Sequence, residues 1–168
     1  MSAPKSVSKL HNRLRRVLQQ AYQAEQLSTG PADIEKYVRF DEPPDDIRKQ
    51  SPNAWAIVGG RKDFKRLSTS AQLLREDGAW LHFSVSVEEI RGELSVIAYS
   101  FELVFDQSAN PRFVRIDLNQ PDHRNDAERG MRCHLHPGHD DIQIAWQEQS
   151  PEDVLTFLVT DLRAIKER

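Results

Sequence analysis

The fold of this chain is decided by the stretch Trp80-Leu81-His82-Phe83-Ser84-Val85-Ser86-Val87. Every second residue from Leu81 onward is large and apolar, and the residues between them include a histidine and two serines. Because side chains alternate between the two faces of a β-strand, this period of two predicts a strand that is covered on one face. The sheet is therefore expected to have an apolar face and a face that carries polar groups.

The same alternation continues beyond this first strand. A long second strand is predicted from Glu93 to Phe105 and a third from Arg112 to Leu118, with short turn sequences between them. Successive strands joined by short turns form an antiparallel meander. Residues 142–146 predict a further strand.

Two amphipathic helices flank the predicted strands. From Lys5 to Leu27, apolar residues recur at steps of three and four, as on one side of a helix. Ser150 and Pro151 form a second helix start, and an apolar stripe follows as far as Ile165. The predicted fold class is α+β: an antiparallel sheet of about four to six strands, packed on one side by the N- and C-terminal helices. The opposite face, or one end of the sheet, is then expected to carry the histidines.

Composition divides the chain near residue 50. Residues 1–50 are predicted to form an N-terminal basic helix and an acidic, proline-rich linker at Asp41 to Asp46, and residues 51–168 a single α+β domain with a histidine-rich site. The basic side of the helix is either a solvated surface or a contact for phosphate or an acidic partner. It carries Lys5, Lys9, Arg13, Arg15 and Arg16.

Overall composition limits the classes of function. The 168 residues carry a formal net charge of −3, which argues against wholesale coating of nucleic acid. No apolar run approaches the roughly 20 residues that cross a bilayer, and the N-terminus lacks the pattern of a secretory signal. Cys133 is the single cysteine, so an intramolecular disulfide and a zinc site with two cysteines of one chain are both excluded. We expect a soluble, cytoplasmic protein without a membrane partner.

A basic segment with one aromatic residue follows the glycine pair Gly59-Gly60. It reads Arg61-Lys62-Asp63-Phe64-Lys65-Arg66. Glycines followed by basic residues can hold a phosphate, but the spacing matches neither a Walker motif nor a dinucleotide-binding motif. A turn is the expected structure.

Histidines concentrate in the segment Cys133-His134-Leu135-His136-Pro137-Gly138-His139-Asp140-Asp141. If it begins as a strand, Arg132, His134 and His136 share one face, whereas Cys133 faces the core. The turn at Pro137-Gly138 can bring His139 and Asp140 back toward the first two histidines. This convergence indicates a site.

Paired histidines allow acid–base chemistry without a metal. A ribonuclease that cleaves through the 2′-hydroxyl needs one group to remove that proton, one to protonate the leaving 5′-oxygen and a cation to hold the phosphate. His134 and His136 are the candidate pair, with His123 or His139 assisting. The candidate phosphate-binding cations are Arg115, Arg124, Arg129 and Arg132, and the candidates for orienting a ring nitrogen are Asp117, Asp140 and Asp141.

Two other interpretations of the histidines remain open. His-x-His on a strand, followed by a histidine and an aspartate, offers three or four nitrogen and oxygen ligands to a metal such as zinc. Alternatively, the histidines only form hydrogen bonds within the turn at Pro137-Gly138.

The order of these features resembles the TumE-type toxins of prokaryotic toxin–antitoxin modules. The resemblance covers about Trp80 to Ile165, and it implies an RNA-cleaving toxin or defence component with an antitoxin partner. It implies roles only for Arg115, Asp117, His123, His134 and His136.

From these observations we predict a small bacterial toxin–antitoxin or defence-associated protein with an endoribonuclease-like acid–base site. RNA or another nucleic acid is the expected substrate, and an antitoxin or another protein of a complex is the expected partner. No cofactor is required, with zinc as the alternative. The competing functions are a non-catalytic binding or assembly subunit of a larger complex, and a zinc-dependent hydrolase.

Overall fold

The alternating stretch lies at the centre of an antiparallel sheet in the computed structural model, which describes residues 2–163 apart from the side chains of residues 125–127. Within these residues the sheet has eight strands. They are β1 (Val38–Asp41), β2 (Trp55–Gly59), β3 (Leu73–Leu74), β4 (Trp80–Ile90), β5 (Glu93–Val104), β6 (Phe113–Leu118), β7 (Cys133–Pro137) and β8 (Ile144–Ala145). The α-helices are α1 (Lys5–Gln23), α2 (Pro31–Tyr37), α3 (Asp45–Gln50), α4 (Arg124–Arg129) and α5 (Pro151–Thr156).

The predicted meander is formed by β4, β5 and β6, which pair antiparallel in sequence order. The sheet continues through β7 to β8 on one side and through β2 to β1 on the other, and β3 pairs with the start of β4. The α+β fold class is confirmed, whereas the expected four to six strands were too few. The strands β1, β3 and β8 have four, two and two residues, which is too short for alternation to be recognised in a sequence.

One face of the sheet is apolar and is packed by α1 and α5. Leu10, Leu14 and Leu18 of α1 are fully buried in the same cluster as Phe101 of β5. Burial of each such side chain contributes about 1.5–3 kcal/mol relative to exposure. The first helix is therefore part of the main core, although composition separates residues 1–50 from the rest. None of the described helices has the length and apolar character needed to cross a membrane.

The segment after α1 is more regular than its sequence suggested. Pro31 begins α2, and β1 then pairs with β2 as an edge strand from Val38 to Asp41. The predicted linker is reduced to residues 42–44, because α3 begins at Asp45. Proline removes a backbone donor and restricts the residue before it, so pairing ends just ahead of the two prolines.

The predicted start of the C-terminal helix is confirmed. Ser150 Oγ accepts a hydrogen bond of 3.1 Å from the backbone N–H of Asp153, and Pro151 occupies the first helical position. The chain continues from α5 into a π-helical turn at Phe157–Asp161. Ile165, the last residue of the predicted apolar stripe, lies outside the described residues.

Candidate active site

The second face of the sheet carries polar side chains at matching positions on four neighbouring strands. His82, Glu102, Arg115 and His136 lie opposite one another in turn on β4, β5, β6 and β7. Their common face follows from strand parity, since the apolar residues between them point to the helices. His82 and His136 thus lie on the face opposite the helices, which is one of the two predicted placements.

Three side chains at the β6–β7 end converge on one point. The Nε2 atoms of His134 and His136 lie 3.8 Å and 3.3 Å from Asp117 Oδ2, and the two ring centroids are 4.9 Å apart. Each histidine is only 2% exposed. We call these three residues the His–Asp centre. It brings together the two histidines predicted as a pair and one of the aspartates predicted to orient them.

The tautomer of His134 follows from its backbone contact. Its Nδ1 lies 3.1 Å from the carbonyl oxygen of Met131, which can only accept, so Nδ1 carries a proton. Burial lowers the pKa of His134 below 6.5, although the charge of Asp117 acts in the opposite direction. At neutral pH the ring is therefore neutral, and the lone pair of Nε2 faces the carboxylate of Asp117.

His136 has a different hydrogen-bonding pattern. Burial raises the pKa of Asp117, but the hydrogen bond with His136 and the charge of Arg115 outweigh burial and hold that pKa below 3.8. Asp117 is thus an ionised carboxylate, and its Oδ2 accepts a hydrogen bond from the Nε2–H group of His136. Within the described residues, Nδ1 of His136 is buried and has no hydrogen-bond partner. In the tautomer that donates from Nε2 to Asp117, the unprotonated Nδ1 of this ring carries the lone pair.

Arg115 connects the His–Asp centre to neighbouring carboxylates. Its guanidinium donates to Asp117 Oδ2 at 2.9 Å and to Asp140 Oδ1 at 2.6 Å, and it lies 3.6 Å from Glu102 Oε2. Arg66 closes the network by donating to both oxygens of Glu102, at 3.0 and 3.1 Å, and to Asp140 Oδ1 at 3.0 Å. Arg66 and Asp140 therefore tie two separate loops to the polar face.

The charges of this network do not balance. Two guanidinium groups, those of Arg66 and Arg115, face the three carboxylates of Glu102, Asp117 and Asp140. These five groups carry a net charge of −1, and neutral histidines add nothing to it. Buried charge is costly unless it is compensated, so the centre favours one further positive charge. A bound cation would supply it.

Most predicted phosphate-binding arginines are engaged elsewhere. Arg115 is held by carboxylates, as described above. Arg132 donates to the carbonyl oxygens of Asn119 and Ile97, at 3.1 and 3.3 Å, instead of presenting its guanidinium to the histidines. Arg124 lies on the exposed helix α4 and pairs with Glu128. The charge of an arginine is visible in the sequence, but the carbonyl or carboxylate that holds it is not.

The remaining predicted site residues lie outside the His–Asp centre. The His139 side chain is 62% exposed, and its Nδ1 accepts a hydrogen bond from the backbone N–H of Asp141. His123 is partly buried in the loop before α4 and does not belong to the convergent group. Arg129 is exposed at the end of α4. Asp140 contacts two arginines and neither histidine ring in the described contacts, so its expected orienting role passes to Asp117.

Sequence reasoning missed Glu102, His82 and Arg66. Glu102 is 3% exposed and lies 3.3 Å from His82 Nε2. Burial raises the pKa of Glu102, but its hydrogen bonds with His82 and Arg66 outweigh burial and lower that pKa. The sequence did contain one signal for Glu102. It is a charged residue within a long strand whose other residues after Glu93 are apolar or small, at a position that faces the polar side of the sheet.

Cys133 lies on the opposite side of β7 from the two histidines, as predicted. It is buried beside Tyr99, whose hydroxyl oxygen is 3.6 Å from its Sγ. Burial raises the pKa of the Cys133 thiol, so the thiol stays protonated at neutral pH. This position suits a core residue and not a nucleophile.

The His–Asp centre offers two kinds of chemistry. A base oriented by a carboxylate is the arrangement used for proton abstraction. Two imidazoles and a carboxylate with ligand atoms within 4.8 Å of one another can also hold a divalent metal ion. No protein-family model, curated protein or solved structure matches this chain.

Proposed function

We propose that this chain is a cytoplasmic endoribonuclease of a bacterial toxin–antitoxin or defence system, with the His–Asp centre as its active site. One observation carries the proposal: Asp117 holds Nε2 of His136, while Nδ1 of the same ring is buried and unpartnered. The resemblance to TumE-type toxins supports RNA as the substrate and an antitoxin as the protein partner.

The reaction needs only groups of this chain and the substrate. Nδ1 of His136 removes the proton of the 2′-hydroxyl, the 2′-oxygen bonds to phosphorus, and the bond from phosphorus to the 5′-oxygen breaks. His134 in its protonated form donates a proton from Nε2 to the leaving 5′-oxygen. The products are a 2′,3′-cyclic phosphate and a 5′-hydroxyl. The guanidinium of Arg115, 2.9 Å from Asp117, keeps a positive charge beside the reacting phosphate.

Substrate access requires side chains at the centre to move, because His134 and His136 are each only 2% exposed. Asp140 bridges Arg66 and Arg115, and its own side chain is 55% exposed. Exposed ion pairs of this kind contribute about 0–1 kcal/mol, so exchanging Asp140 for a phosphate on these arginines costs little. The substrate would then take the place of Asp140.

Cleavage of RNA in the presence of EDTA tests this mechanism. The wild-type protein should release fragments that end in a cyclic phosphate. His136→Ala and Asp117→Asn should each lower kcat/KM by about 10²-fold or more, because they remove the base or its orientation. His139→Ala is the matched control, since it removes an exposed histidine from the same segment and should leave the rate unchanged. Equal rates for His136→Ala and His139→Ala would exclude the proposed base.

The pH profile tests the role of His134 separately. Because burial lowers the pKa of His134, its protonated form is lost as the pH rises through a pKa that lies below 6.5. The alkaline limb of the kcat/KM profile should therefore lie below pH 6.5. A limb above that value would assign the acid to another group.

A divalent metal site is the second candidate function for the same residues. It is favoured by the protonated Nδ1 of His134, which donates to a backbone carbonyl as metal-bound histidines commonly do and leaves Nε2 as a ligand. It is also favoured by the net negative charge of the network. The chain would then be a zinc-dependent hydrolase, in which the bound ion would polarise a water or a substrate oxygen.

Metal analysis separates the two candidates. The zinc hydrolase would be favoured if the purified protein contains stoichiometric zinc, if this zinc is lost in His134→Ala and in His136→Ala, and if hydrolysis by the wild type is inhibited by EDTA. The same results would exclude the metal-free mechanism. EDTA-resistant cleavage would do the reverse. Absence of both cleavage and zinc would leave the non-catalytic assembly subunit as the better interpretation.

A further inference from the structure

The segment of residues 61–66, which we call the basic loop, leads from β2 across the polar face. Phe64 is 83% exposed, which is unusual for a large aromatic side chain. The ammonium group of Lys62 lies 4.7 Å from the centroid of the Phe64 ring. Arg61 and Lys65 are also exposed. The loop thus presents to solvent an aromatic ring with one ammonium group beside it, together with two further exposed cationic side chains.

The basic loop is anchored beside the His–Asp centre by Arg66. The Arg66 guanidinium lies 3.6 Å from the centroid of the Phe113 ring and binds both oxygens of buried Glu102. Arg66 also shares Asp140 Oδ1 with Arg115, which itself binds Asp117. One bridging carboxylate therefore separates the loop from the proposed active site.

An internal turn fixes the orientation of the exposed groups. The carboxylate of Asp63 accepts hydrogen bonds from the backbone N–H groups of Lys65 and Leu67, at 2.9 and 3.1 Å. Its negative charge is thereby directed at the backbone of the loop. In the described part of the chain, no carboxylate forms a salt bridge with Lys62 or Lys65. Their charge is free for an external anion.

We propose that the basic loop binds single-stranded RNA at the entrance to the His–Asp centre, with Phe64 stacked on a base and Lys62 and Lys65 on phosphates. This inference rests on the proposed function and names the form of its substrate. An exposed aromatic ring among cations is the arrangement used for single strands, whose bases are free to stack. Bases paired in a duplex are stacked on one another and cannot reach Phe64. The loop also supplies the cations that Arg124 and Arg132 do not.

Binding of a short, fluorescently labelled 2′-O-methyl oligouridylate to the wild-type protein tests the inference, because the methyl group prevents cleavage. Phe64→Ala should weaken binding by at least about fivefold, and Phe64→Trp should retain it. Phe64 is exposed, so neither substitution should change the unfolding midpoint. For the lysine substitutions described next, the charge-matched control is Lys36→Ala/Lys49→Ala, which removes two exposed lysines of α2 and α3 that have no part in the proposed site and should leave binding unchanged.

Salt dependence tests the phosphate contacts independently. Each phosphate contact to a single strand adds about 0.7 to the slope of log affinity against log salt. Lys62→Ala/Lys65→Ala should therefore reduce that slope by about 1.4, whereas Lys36→Ala/Lys49→Ala should not change it. A slope that falls equally for both double variants would overturn the assignment of the loop.

The outcomes distinguish this inference from the proposed function. Binding that depends on Phe64, without any RNA cleavage, would support the loop as an RNA contact and contradict the endoribonuclease. Cleavage that depends on His136 and is unaffected in Phe64→Ala, together with unchanged binding, would support the enzyme and overturn the inference. A duplex that binds as tightly as the single strand and is indifferent to Phe64 would also overturn it.

Discussion

The two faces of this sheet are buried by different means, although the same strands build both. On the helix-covered face, Phe101 and Ile116 are fully buried among apolar side chains. One residue further along each strand, Glu102 and Asp117 lie on the other face and are held by arginines and histidines. The first face gains stability from the apolar area removed from water, and the second depends on whether each charge has a partner.

The apolar face therefore mainly stabilises the fold, whereas the polar face carries the groups that can react. A well-packed apolar face has no group that can exchange protons or bind an anion. The polar face accepts the cost of dehydrating five charged groups and in return holds two imidazoles beside a carboxylate. Hydrogen bonding on this face is incomplete at two buried atoms, Nδ1 of His136 and Oδ1 of Asp117, which have no hydrogen-bond partner among the described residues. A buried polar atom of this kind needs a partner, which can be an ordered water, an ion or a group of a substrate.

Phe101→Ala should produce the largest change, because it opens a cavity in the apolar face. We expect the free energy of unfolding to fall by about 4 kcal/mol, measured by denaturant titration. Phe64→Ala, which removes the same ring from an exposed position, should change it by less than about 0.5 kcal/mol. Similar losses for the two variants would contradict the assignment of the main core to the helix-covered face.

Glu102→Gln should be the most damaging change on the polar face. It removes the charge that Arg66 and His82 share in a site where Glu102 is almost fully buried, and we expect a loss of about 3 kcal/mol in the free energy of unfolding. The matched control is Glu93→Gln, at the exposed start of the same strand. If both variants unfold at the same denaturant concentration, the polar face is hydrated and its ion pairs contribute little.

Acid should weaken the polar face before it affects the apolar packing. The pKa of His134 is lowered by burial, so its contribution to stability is present above pH 6.5 and is lost as the pH falls toward its folded pKa. The free energy of unfolding should decline over this range with a slope of at most about 1.4 kcal/mol per pH unit for this one group. His11 is also buried and its pKa is lowered mainly by burial, so the comparison is made between the wild type and His134→Gln. A slope that is unchanged in His134→Gln would assign the effect to other groups.

Among the substitutions in the charged network of the polar face, Asp140→Asn should have the smallest effect on stability. The Asp140 side chain is 55% exposed, so solvent screens its pairs with Arg66 and Arg115, and we expect a loss below about 1 kcal/mol. The same substitution should raise the affinity for RNA, because it removes one of the negative charges that face the guanidinium groups of Arg66 and Arg115. Unchanged or weaker RNA binding would show that Asp140 does not compete with the substrate.

Local periodicity allowed much of the fold to be predicted from the sequence. The alternation in β4, β5 and β6 predicted the meander, and the parity of β7 predicted that His134 and His136 share a face away from Cys133. The apolar stripe predicted α1. Each of these signals lies within one element, so no long-range information was needed.

The site was only partly predictable because its remaining partners come from distant segments. Arg66 and Glu102 are 36 residues apart, and only the pairing of strands and the path of the basic loop bring them together. Asp117 was a candidate for orienting a ring, but so were Asp140 and Asp141, and the sequence contained nothing to choose among them. The engagement of Arg132 by the backbone carbonyl of Ile97 depends likewise on cross-strand geometry.

The row of His82, Glu102, Arg115 and His136 draws one residue from each of four strands. A slip of β5 by a single residue would put Phe101 or Leu103 where Glu102 now lies, and it would turn the carboxylate toward the helices. The pairing of β4 with β5 already contains one irregularity, between Ser86 and Val87, and the row lies on one side of it. Chemistry at this centre should therefore report on the register of the four strands from β4 to β7. In a refolding experiment, recovered activity would count only those chains whose four strands have all found their native alignment.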